Sequence, residues 1–540
     1  MTQYKNPVLL NSWFILLNTE ATMRHIITFL ALVLLFSTAH SKNSIYNVQE
    51  LIPETGTSIL ITDELQQIID TCSAEGGGTV YFPAGDYLTG TIILKDNTFL
   101  ELSAGATLYG STDINDYPEQ EKGKSLFYAK GAHNIGIIGQ GALNGSGDFF
   151  WRGKERPYNR PDRLILFYEC QNIRINDITM LNSPNWNLEL LNCDFVWIDG
   201  VSMISDMDSP NSDGIDPTSS SHVFISNCYF ELGDDAICPK SRGSKPTEYI
   251  VVENCIIKSD DSAIKLGTRS EAPIRHMVFN NIIIKDTQYG IAFYAKDGGV
   301  FEDIRFSNII IESARNDDGK TDRPSGSYPL FLDIERRNPD GPITFINDIH
   351  FSDITINSKD GHCLFLGQPD QKIENLFFSN IHFNLETHRT LEGSKKPRGV
   401  RSLTDRAAND FSHIPANFTF AYIDNLNIDG LTIHDKDKSG QYERHMVWGY
   451  DVHDVYIEGF SNRLATPNQK LAQFCFKDAS GIEMCSSRPT ATASPFLFLE
   501  GAATRDITLR NNNFAKVKKI VDMDDAFEKE ELLEFNNLKD

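Results

Sequence analysis

A repeat of 27 residues is the feature that most restricts how this chain can fold. Glycine or asparagine recurs at that interval at Gly200, Asn227, Asn254, Asn281 and Asn308. A fixed period of this length is typical of solenoids, in which each repeat buries its apolar side against its neighbours. The sequence therefore predicts a stack of similar turns instead of several globular domains.

Short β-rich runs fill each repeat. Val-Phe-Ile at 223–225 and Ile-Val-Val at 250–252 are examples, and each is followed by a small polar pair and a further apolar run. Such runs, broken by Asn, Asp and Gly, are typical of strands and tight turns. Three strands per repeat predict an all-β fold, a single-stranded right-handed parallel β-helix. The recurring asparagine suits a turn with a left-handed backbone and can hydrogen-bond along the stack.

The repeat markers continue along the chain with gaps between them. Phe-Ser-Asp-Ile at 351–354 and Phe-Ser-Asn-Ile at 378–381 are again 27 residues apart. Residues 42–540 are therefore expected to form one β-helix with loop insertions near 313–328, 386–418 and 462–495. The charged stretch 522–540 is predicted to be a terminal helix that caps the open end of the sheets.

The first 41 residues have the pattern of a targeting segment. Met23, Arg24 and His25 precede an apolar run over 26–36, and small residues follow. This run is too short to span a membrane comfortably. We interpret 23–41 as a secretory signal peptide, with 1–22 from an upstream start, and expect a periplasmic or extracellular protein without a membrane anchor. The alternative is a buried N-terminal helix.

Composition limits the partners. The net charge is −24 and the isoelectric point is near 5.0, which disfavours nucleic acid because nucleic-acid binding needs a basic surface. An anionic substrate would have to meet local cations. The sequence has no Cys-x-x-Cys motif or histidine cluster, so neither a metal nor another cofactor is expected, and a monomer is assumed.

Nine cysteines are an odd number for an exported chain. Cys228 and Cys255 lie one period apart and are predicted to stack inside the β-helix as apolar filler, as are Cys170 and Cys193. Cys475 and Cys485 either close a small loop as a disulfide or remain free.

Three acidic motifs occur at the same point of successive repeats. They are Asn-Ser-Asp at 211–213, Gly-Asp-Asp at 233–235 and Ser-Asp-Asp at 259–261, and a Gly-Ile or Ala-Ile pair follows closely after each. This register predicts that Asp213 lies next to Asp235, with Asp234 beside them. Three acids on a rigid wall indicate acid–base hydrolysis. The alternative is that the acids are solvated turn residues. For Asp260 and Asp261 we prefer this interpretation, or an ion pair with Lys258 or Lys265.

A series of motifs resembles glycoside hydrolase family 28, the polygalacturonase family. The segment 63–72 resembles the family's capping helix, and Gly-Gly-Gly-Thr-Val-Tyr-Phe-Pro-Ala-Gly-Asp-Tyr at 76–87 resembles its first turn. Asn-Ser-Pro-Asn-Trp at 182–186 and the acidic motifs at 211–216 and 233–237 follow in the family's order. The likeness covers about residues 55–312. It implies a hydrolase of pectic or related polysaccharide with α-glycosidic bonds.

The resemblance also implies roles. Asp234 corresponds to the general acid, and Asp213 and Asp235 correspond to the pair that activates water. An inverting glycosidase separates its acid and base by about 6.5–9.5 Å, which acids on adjacent turns about 4.8 Å apart are expected to reach. Crowded like charges raise the pKa of one acid.

The family pattern is broken at its substrate-binding positions. Ser262 or Asp261 stands where polygalacturonases have His, and Ala292 and Tyr294 stand where they have the Arg and Lys that bind galacturonate. Alanine cannot make a bidentate contact with a carboxylate. The predicted substrate is therefore not plain polygalacturonan, and rhamnogalacturonan or a neutral or sulfated galactan are candidates.

Further residues are candidates for substrate binding. Lys240 matches a polar family position, and Lys265 shares a predicted column with Asp216, Cys238 and Ala292, so it could replace the lost arginine. Tyr289, Phe293 and Tyr294 either stack on a sugar or belong to the core. The remaining candidates are Asn211, Lys296, Arg336, Arg337 and the basic stretch 397–406.

Two other functions compete with hydrolysis. A polysaccharide lyase on the same fold would need a uronate substrate and often Ca²⁺, which an acid cluster can bind. A non-catalytic carbohydrate-binding β-helix would bind without turnover. Fold alone does not decide among these functions.

Overall fold

The protein is described by a computed structural model covering residues 44–314, 326–338, 340–391, 411–465, 470–490 and 492–539. The predicted targeting segment lies outside the described residues, as does the basic stretch 397–406. Ile45–Asp540 form one compact unit. None of the helices in the described part is both long and apolar enough to cross a membrane.

The described chain winds through three parallel sheets, which we name A, B and C in the order in which each turn visits them. Sheet A contains Ser44–Asn47, Gly78–Phe82, Thr98–Leu102, His133–Gly139, Gln171–Asn176, Asp194–Asp199, Ser221–Ser226, Thr247–Glu253, Ile274–Thr287, Val300–Ser313, Phe345–Ser358, Ile373–Leu385, Ala416–Asp435, His445–Glu458, Ser480–Cys485, Arg505–Arg510 and Leu532–Phe535.

Sheets B and C complete each turn. Sheet B contains Gly85–Thr89, Ala106–Gly110, Ala142–Asn144, Thr179–Leu181, Ser202–Ile204, Tyr229–Leu232, Ile256–Ser259 and Ser461–Leu464, with the ends of several long sheet A strands. Sheet C contains Ile92–Ile93, Ser125–Lys130, Arg163–Tyr168, Trp186–Leu191, Ile215–Thr218, Ser262–Thr268, Tyr289–Ala295, Tyr328–Ile334, Cys363–Leu366, Phe474–Lys477, Leu497–Glu500 and Val521–Met523, with the starts of Ala416–Asp435 and His445–Glu458.

The predicted period sets the register of these sheets. In sheet A, Val196 pairs with Val223, then Ile250, Met277 and Ile304, each one period further along the chain. All five side chains are at most 1% exposed. Alternate residues of every strand thus face one continuous core inside the three sheets, as the side-chain alternation of a strand requires. The fold prediction, a right-handed parallel β-helix, is confirmed.

The recurring asparagine forms a ladder at the corner between sheets A and B. Asn227, Asn254, Asn281 and Asn308 all have φ between 54° and 58°. The Asn281 side-chain amide donates to Asn254 Oδ1 at 2.6 Å, and that of Asn308 donates to Asn281 Oδ1 at 3.1 Å. Asparagine tolerates this left-handed conformation better than most residues, and its side chain links the turns as predicted.

The helix Thr62–Ala74 covers the start of the β-helix. Its buried side chains, Leu65, Ile68, Ile69 and Cys72, lie on one face and join the main core. The described part has four shorter helices: Val48–Leu51 and Asp148–Trp151, which are α-helical, and Ile114–Asp116 and Lys529–Glu531, which are 3₁₀. The capping helix expected at 63–72 is confirmed.

Two predictions about the C-terminal part were wrong. The interval 462–495 is no single insertion, because Phe474–Lys477 and Ser480–Cys485 are strands of sheets C and A within it. No terminal α-helix occurs in the described part of 522–540. That segment continues the sheets as Val521–Met523 and Leu532–Phe535, with a 3₁₀ turn at Lys529–Glu531. The charged residues of this stretch therefore lie on strands and turns, and their charge was not a sign of a helix.

All nine cysteines are buried and free. The disulfide considered between Cys475 and Cys485 is not formed, because these residues belong to sheets C and A. Cys228 and Cys255 are 2% and 1% exposed in adjacent turns, so the predicted role of these residues as core filler is confirmed.

Candidate active site

The turns from sheet B to sheet C hold the predicted catalytic acids. Asp213 precedes strand Ile215–Thr218, and Asp234 and Asp235 follow strand Tyr229–Leu232. The Gly214 amide donates to the Asp235 carbonyl at 2.9 Å, which fixes the two turns against each other. A Cβ on Gly214 would lie 2.3 Å from the Ala236 carbonyl oxygen, so only glycine permits this close stacking.

The three acids form one cluster. One carboxylate oxygen from each of Asp213, Asp234 and Asp235 lies within 4.8 Å of the other two. Asp213 and Asp235 are 4% and 1% exposed, whereas Asp234 is only half-buried. The predicted adjacency is thus present. The carboxylates are, however, closer together than the separation of about 6.5–9.5 Å that is typical of inverting glycosidases.

Two lysines lie among these acids. Lys265 Nζ is 2.5 Å from Asp235 Oδ2. Lys240 Nζ is 3.2 Å from Asp213 Oδ2, contacts Asp216 Oδ1 and lies 4.0 Å from the centre of the Trp186 ring. Buried carboxylates need such partners to remain ionised.

Two of the three acids, Asp213 and Asp234, have raised pKa values. Burial raises the pKa of Asp213 to about 7, and Lys240 opposes the effect. Burial, reinforced by the charges of Asp213 and Asp235, also raises the pKa of Asp234 to about 7. Because Asp213 and Asp234 are close neighbours, their titrations are linked. Near neutral pH the cluster therefore holds both protonated and ionised carboxyls, as acid–base catalysis requires.

The lysines keep their charge. Burial lowers the pKa of Lys265, but the charges of its neighbours, chiefly Asp235, outweigh burial and raise the pKa well above its usual value. For Lys240 the same balance, with Asp216 as the main partner, also raises the pKa. Both ammonium groups are therefore present as fixed positive charges under the acids.

Sequence reasoning gave Asp216 no role, yet Asp216 is fully buried against Lys240. Burial raises its pKa to about 6. The signal was available, because Asp216 is three residues from Asp213 and shares a column with Lys265. Arg160 is a second residue near the acids whose contacts the sequence did not predict. Its guanidinium donates to Asn211 Oδ1 at 3.0 Å and to the carbonyls of Pro184 and Pro210.

The residues that replace the family's binding motifs lie one to two turns beyond the acids. Ser262 is buried and its Oγ donates to Asp261 Oδ1 at 3.2 Å. Lys265 pairs in register with Ala292, and Gly267 with Tyr294, so the predicted column is present. Lys265 Nζ also lies 5.1 Å from the centre of the Tyr294 ring.

Tyr289 and Tyr294 are 1% and 2% exposed, and Phe293 is fully buried. Tyr289 stacks on Tyr328 with ring centres 5.4 Å apart, and Tyr294 packs on Phe331. These contacts occupy the rings, and they favour the core interpretation over stacking on a sugar. Ala292 lies in the same cluster. The turn beyond Lys265 is therefore packed with buried aromatic rings, and position 292 provides no guanidinium.

The other candidate cations are engaged elsewhere. Lys296 forms a buried ion pair with Glu335 at 3.2 Å. Arg336 contacts Asp370, and Arg337 Nε lies 2.5 Å from Asp297 Oδ1. None of these acid partners belongs to the cluster of Asp213, Asp234 and Asp235.

Two sets of side chains in the described part have donor atoms close enough for a cation: Asp213 with Asp234 and Asp235, and Asp213 with Asp216 and Cys238. Lys240 and Lys265 already contact carboxylates of these sets. Their charges would repel a divalent ion, so the expectation of no metal stays a prediction.

Comparison with known proteins agrees with this geometry. The family model for glycosyl hydrolases family 28 matches residues 72–396. A "Probable polygalacturonase" of Vitis vinifera is 33% identical over 186 residues, which are 31% of this chain and 38% of that protein. The first three curated relatives are matched over only 38–41% of their own length.

Solved structures share the fold. The family 28 exopolygalacturonase of Yersinia enterocolitica has a TM-score of 0.58 and 18% identity, covering 77% of this chain and 78% of that one. The exopolygalacturonase of Thermotoga maritima has a TM-score of 0.55 and 19% identity, covering 63% and 87%. The family model covers well over half of the chain and includes all three clustered acids, so the chain belongs to glycoside hydrolase family 28.

Proposed function

We propose that this protein is an exported, monomeric inverting hydrolase of α-glycosidic bonds in a pectic or related polysaccharide other than plain polygalacturonan. The observation that carries the proposal is the cluster of Asp213, Asp234 and Asp235, in which raised proton affinity and a buried ammonium partner occur together. Membership of family 28 supports the reaction class.

In this proposal Asp234 is the general acid. It is the most exposed of the three acids and has a pKa of about 7, so it holds a proton near neutral pH and can reach a substrate above the wall. Its proton passes to the glycosidic oxygen as the bond to the anomeric carbon breaks.

Asp213 and Asp235 together act as the base. Lys265 stabilises the charge of Asp235, and Lys240 that of Asp213. A water molecule bound by both carboxylates loses a proton to them as its oxygen attacks the anomeric carbon. Oxygens within 4.8 Å of each other can share one water through two hydrogen bonds of about 2.8 Å, so the attacking water would lie on Asp213 and Asp235.

The stereochemistry of the first product tests this mechanism. NMR of a digest, recorded before the anomers equilibrate, should show the anomer opposite to that of the substrate. Carboxylates within 4.8 Å also approach the roughly 5–5.5 Å typical of retaining enzymes. Retention of configuration would therefore replace the proposal with a covalent mechanism through one of the three acids.

The substrate is inferred from the turn beyond the acids. Ala292 and Tyr294 are buried in an aromatic cluster, so neither position offers the arginine fork that would bind a uronate carboxylate. We therefore expect a neutral sugar next to the scissile bond on this side, as in the rhamnose positions of rhamnogalacturonan or in a galactan.

A polysaccharide panel tests the activity. Polygalacturonate, rhamnogalacturonan, and neutral and sulfated galactans are incubated with the protein, and new reducing ends are measured together with ultraviolet absorbance. We expect new reducing ends without new absorbance from rhamnogalacturonan, the neutral galactan or the sulfated galactan. Asp234→Asn should lower the rate by about 10²–10⁴-fold, the usual contribution of a general acid, while sugar binding remains.

Asp260→Asn is the matched control, because Asp260 opens the next Asp-Asp pair outside the cluster, and it should retain most activity. Rapid cleavage of polygalacturonate would contradict the substrate inference. An absorbing, unsaturated product would favour the lyase, and binding without turnover would favour a carbohydrate-binding protein.

A further inference from the structure

Asp216 is a buried acid to which the proposed mechanism gives no part. It lies on strand Ile215–Thr218, three residues after Asp213, and is fully buried. Its Oδ1 accepts from the Lys240 ammonium, whereas its Oδ2 has no hydrogen-bond partner among the residues that the structure describes. A buried carboxylate remains ionised only beside a compensating charge. The charge of Asp216 therefore depends on Lys240.

Lys240 reaches Asp216 from the next turn, where it pairs in register with Thr218. Its side chain is only 7% exposed, and besides the contact with Asp216 its ammonium lies 3.2 Å from Asp213 Oδ2. The ammonium also lies 4.0 Å from the centre of the Trp186 ring. Two carboxylates and an aromatic ring thus surround this charge, and they direct it to the acids instead of the groove.

Two further cations, Arg163 and Arg242, lie beside the same tryptophan ring, with their Cζ atoms 4.0 and 6.0 Å from its centre. Both are held by Glu189, which is fully buried. Arg163 Nε lies 2.7 Å from Glu189 Oε2, and a terminal nitrogen of Arg242 lies 3.5 Å from Oε1. Glu189 pairs in register with Asp216 one turn away. The arginines are therefore engaged one turn earlier, and the contact with Asp216 is left to Lys240.

The two members of this pair act on Asp213 in opposite directions. Burial raises the pKa of Asp213, Lys240 lowers it, and Asp216 raises it further. The other titratable or charged groups that face Asp213, Asp216 or Lys240 come from neighbouring turns and are Arg160, Arg163, Glu189, Asp234, Asp235, Cys238 and Lys265.

We propose that Asp216 and Lys240 are positioning residues of the hydrolysis, in which Asp216 holds the Lys240 ammonium against the base Asp213 and away from the substrate. The inference rests on the proposed function and deepens it, since it gives Lys240 a role other than the substrate contact expected from the sequence. The ammonium keeps Asp213 ionised, so that it can accept a proton from water. The opposite charge of Asp216 limits this stabilisation, because a base that is stabilised too strongly accepts a proton poorly.

The pH dependence of kcat/KM tests the pair on whichever polysaccharide of the panel the protein cleaves. The rate falls toward low pH as the base becomes protonated. Lys240→Met should move this fall to higher pH by about 1–3 units, the usual effect of losing an opposite charge beside a carboxyl. Asp216→Asn should move it to lower pH, because it removes a like charge and leaves Lys240 to Asp213 alone. The KM should stay unchanged in both, since neither side chain contacts the substrate.

The double variant, Asp216→Asn with Lys240→Met, removes both charges at once. Its fall in rate should lie between those of the single variants and near that of the natural protein, because the two effects oppose each other. The double variant leaves no unpaired charge at these two positions, so it keeps the test possible if Lys240→Met does not fold.

Glu231→Gln is the matched control. Glu231 forms an ion pair with Lys258 at 2.9 Å and lies on sheet B strand Tyr229–Leu232, just before the turn that carries Asp234. Its removal should leave the pH profile where it is. A shift as large as that of Asp216→Asn would mean that any nearby acid has this effect.

Three results would overturn the proposal. They are an unmoved pH profile in Asp216→Asn, a shift of that profile to higher pH, and a raised KM with an unmoved profile in Lys240→Met. The last result is the one expected of a lysine that binds substrate.

Loss of the proposed function looks different, because the natural protein would then cleave no polysaccharide. Thermal unfolding still tests the pair in that case. Asp213 has a folded pKa of about 7, above its unfolded value, so the stability it contributes is present at low pH and lost as pH rises. Between about pH 5 and 8, the melting temperature should fall more in Lys240→Met than in the natural protein, and less in Asp216→Asn. Equal falls in all three proteins would overturn the inference.

Discussion

At the scale of single residues, the pairing of each acid decides its role. Asp235 has Lys265 within 2.5 Å, whereas Asp234 contacts no lysine among the ion pairs of the described chain and lies partly open. A charge beside a carboxylate stabilises its ionised form, and burial without such a partner favours the protonated form. In the proposed mechanism, Asp234 is therefore the acid, and Asp213 and Asp235 are the base.

Removing the Lys265 charge should disturb both stability and pH dependence. Lys265→Met leaves Asp235 buried without its partner, and breaking a buried pair costs about 3–5 kcal/mol. Lys265 also lowers the pKa values of Asp213 and Asp234, so the pH–rate profile should move to higher pH. Urea unfolding and the pH dependence of kcat/KM measure these effects.

Lys258→Met serves as the comparison for that variant. Lys258 pairs with Glu231 at 2.9 Å, but both side chains are about a quarter to a third exposed, and such pairs contribute at most about 1 kcal/mol. If both substitutions had the same small effect, Lys265 would not act as the partner of Asp235.

At the scale of elements, the asparagine ladder holds the corners between sheets A and B. Each ladder residue satisfies a left-handed backbone and also joins two turns through its side chain. Because the ladder crosses several turns, a defect at one corner removes hydrogen bonds from both neighbours.

Asn281→Ala should therefore destabilise the protein by about 1–3 kcal/mol, the combined cost of a left-handed Cβ and two lost side-chain hydrogen bonds. Asn281→Gly removes the strain of a left-handed backbone that carries a Cβ, so it should lose less stability than Asn281→Ala. The free energy of unfolding in urea separates the two. An alanine variant as stable as the natural protein would show that the corner tolerates any residue.

At the scale of the whole molecule, the raised pKa values of the acids link activity to stability. Below about pH 4 the Asp234 carboxyl is protonated in the folded and the unfolded chain. Between pH 4 and 7 the unfolded chain loses this proton while the folded chain keeps it, because the folded pKa is about 7. Stability from this group is thus present at low pH and lost as pH rises.

Asp234→Asn removes this titration. The variant should be more stable than the natural protein at pH 8, by about 1–4 kcal/mol, and should show little difference at pH 4. Melting temperatures at the two pH values measure the effect. If the substitution changed the melting temperature equally at both pH values, the pKa of Asp234 would not be raised. Asp234 would then be unsuited to act as the general acid near neutral pH.

The sequence by itself determined the period and with it the fold, and the Gly-Ile and Ala-Ile pairs after the acidic motifs gave the adjacency of the acids. A 27-residue repeat of alternating apolar residues can bury its core only by stacking in register, so positions separated by one period must be neighbours, as Asp235 and Ser262 are. After residue 460 the period is interrupted, so it no longer predicts where strands lie. For this reason a loop was predicted where the structure has two strands.

Only the tertiary structure decided what surrounds each side chain. The partner of Lys240, the burial of Tyr289 and Tyr294, and the anchoring of Arg160 on the next two turns depend on rotamers and on loops from different turns. Spacing along the chain gives the row and column of a residue on the β-helix. It does not give the direction of a long side chain or the course of a loop, and these set the charge and the access of the catalytic groove.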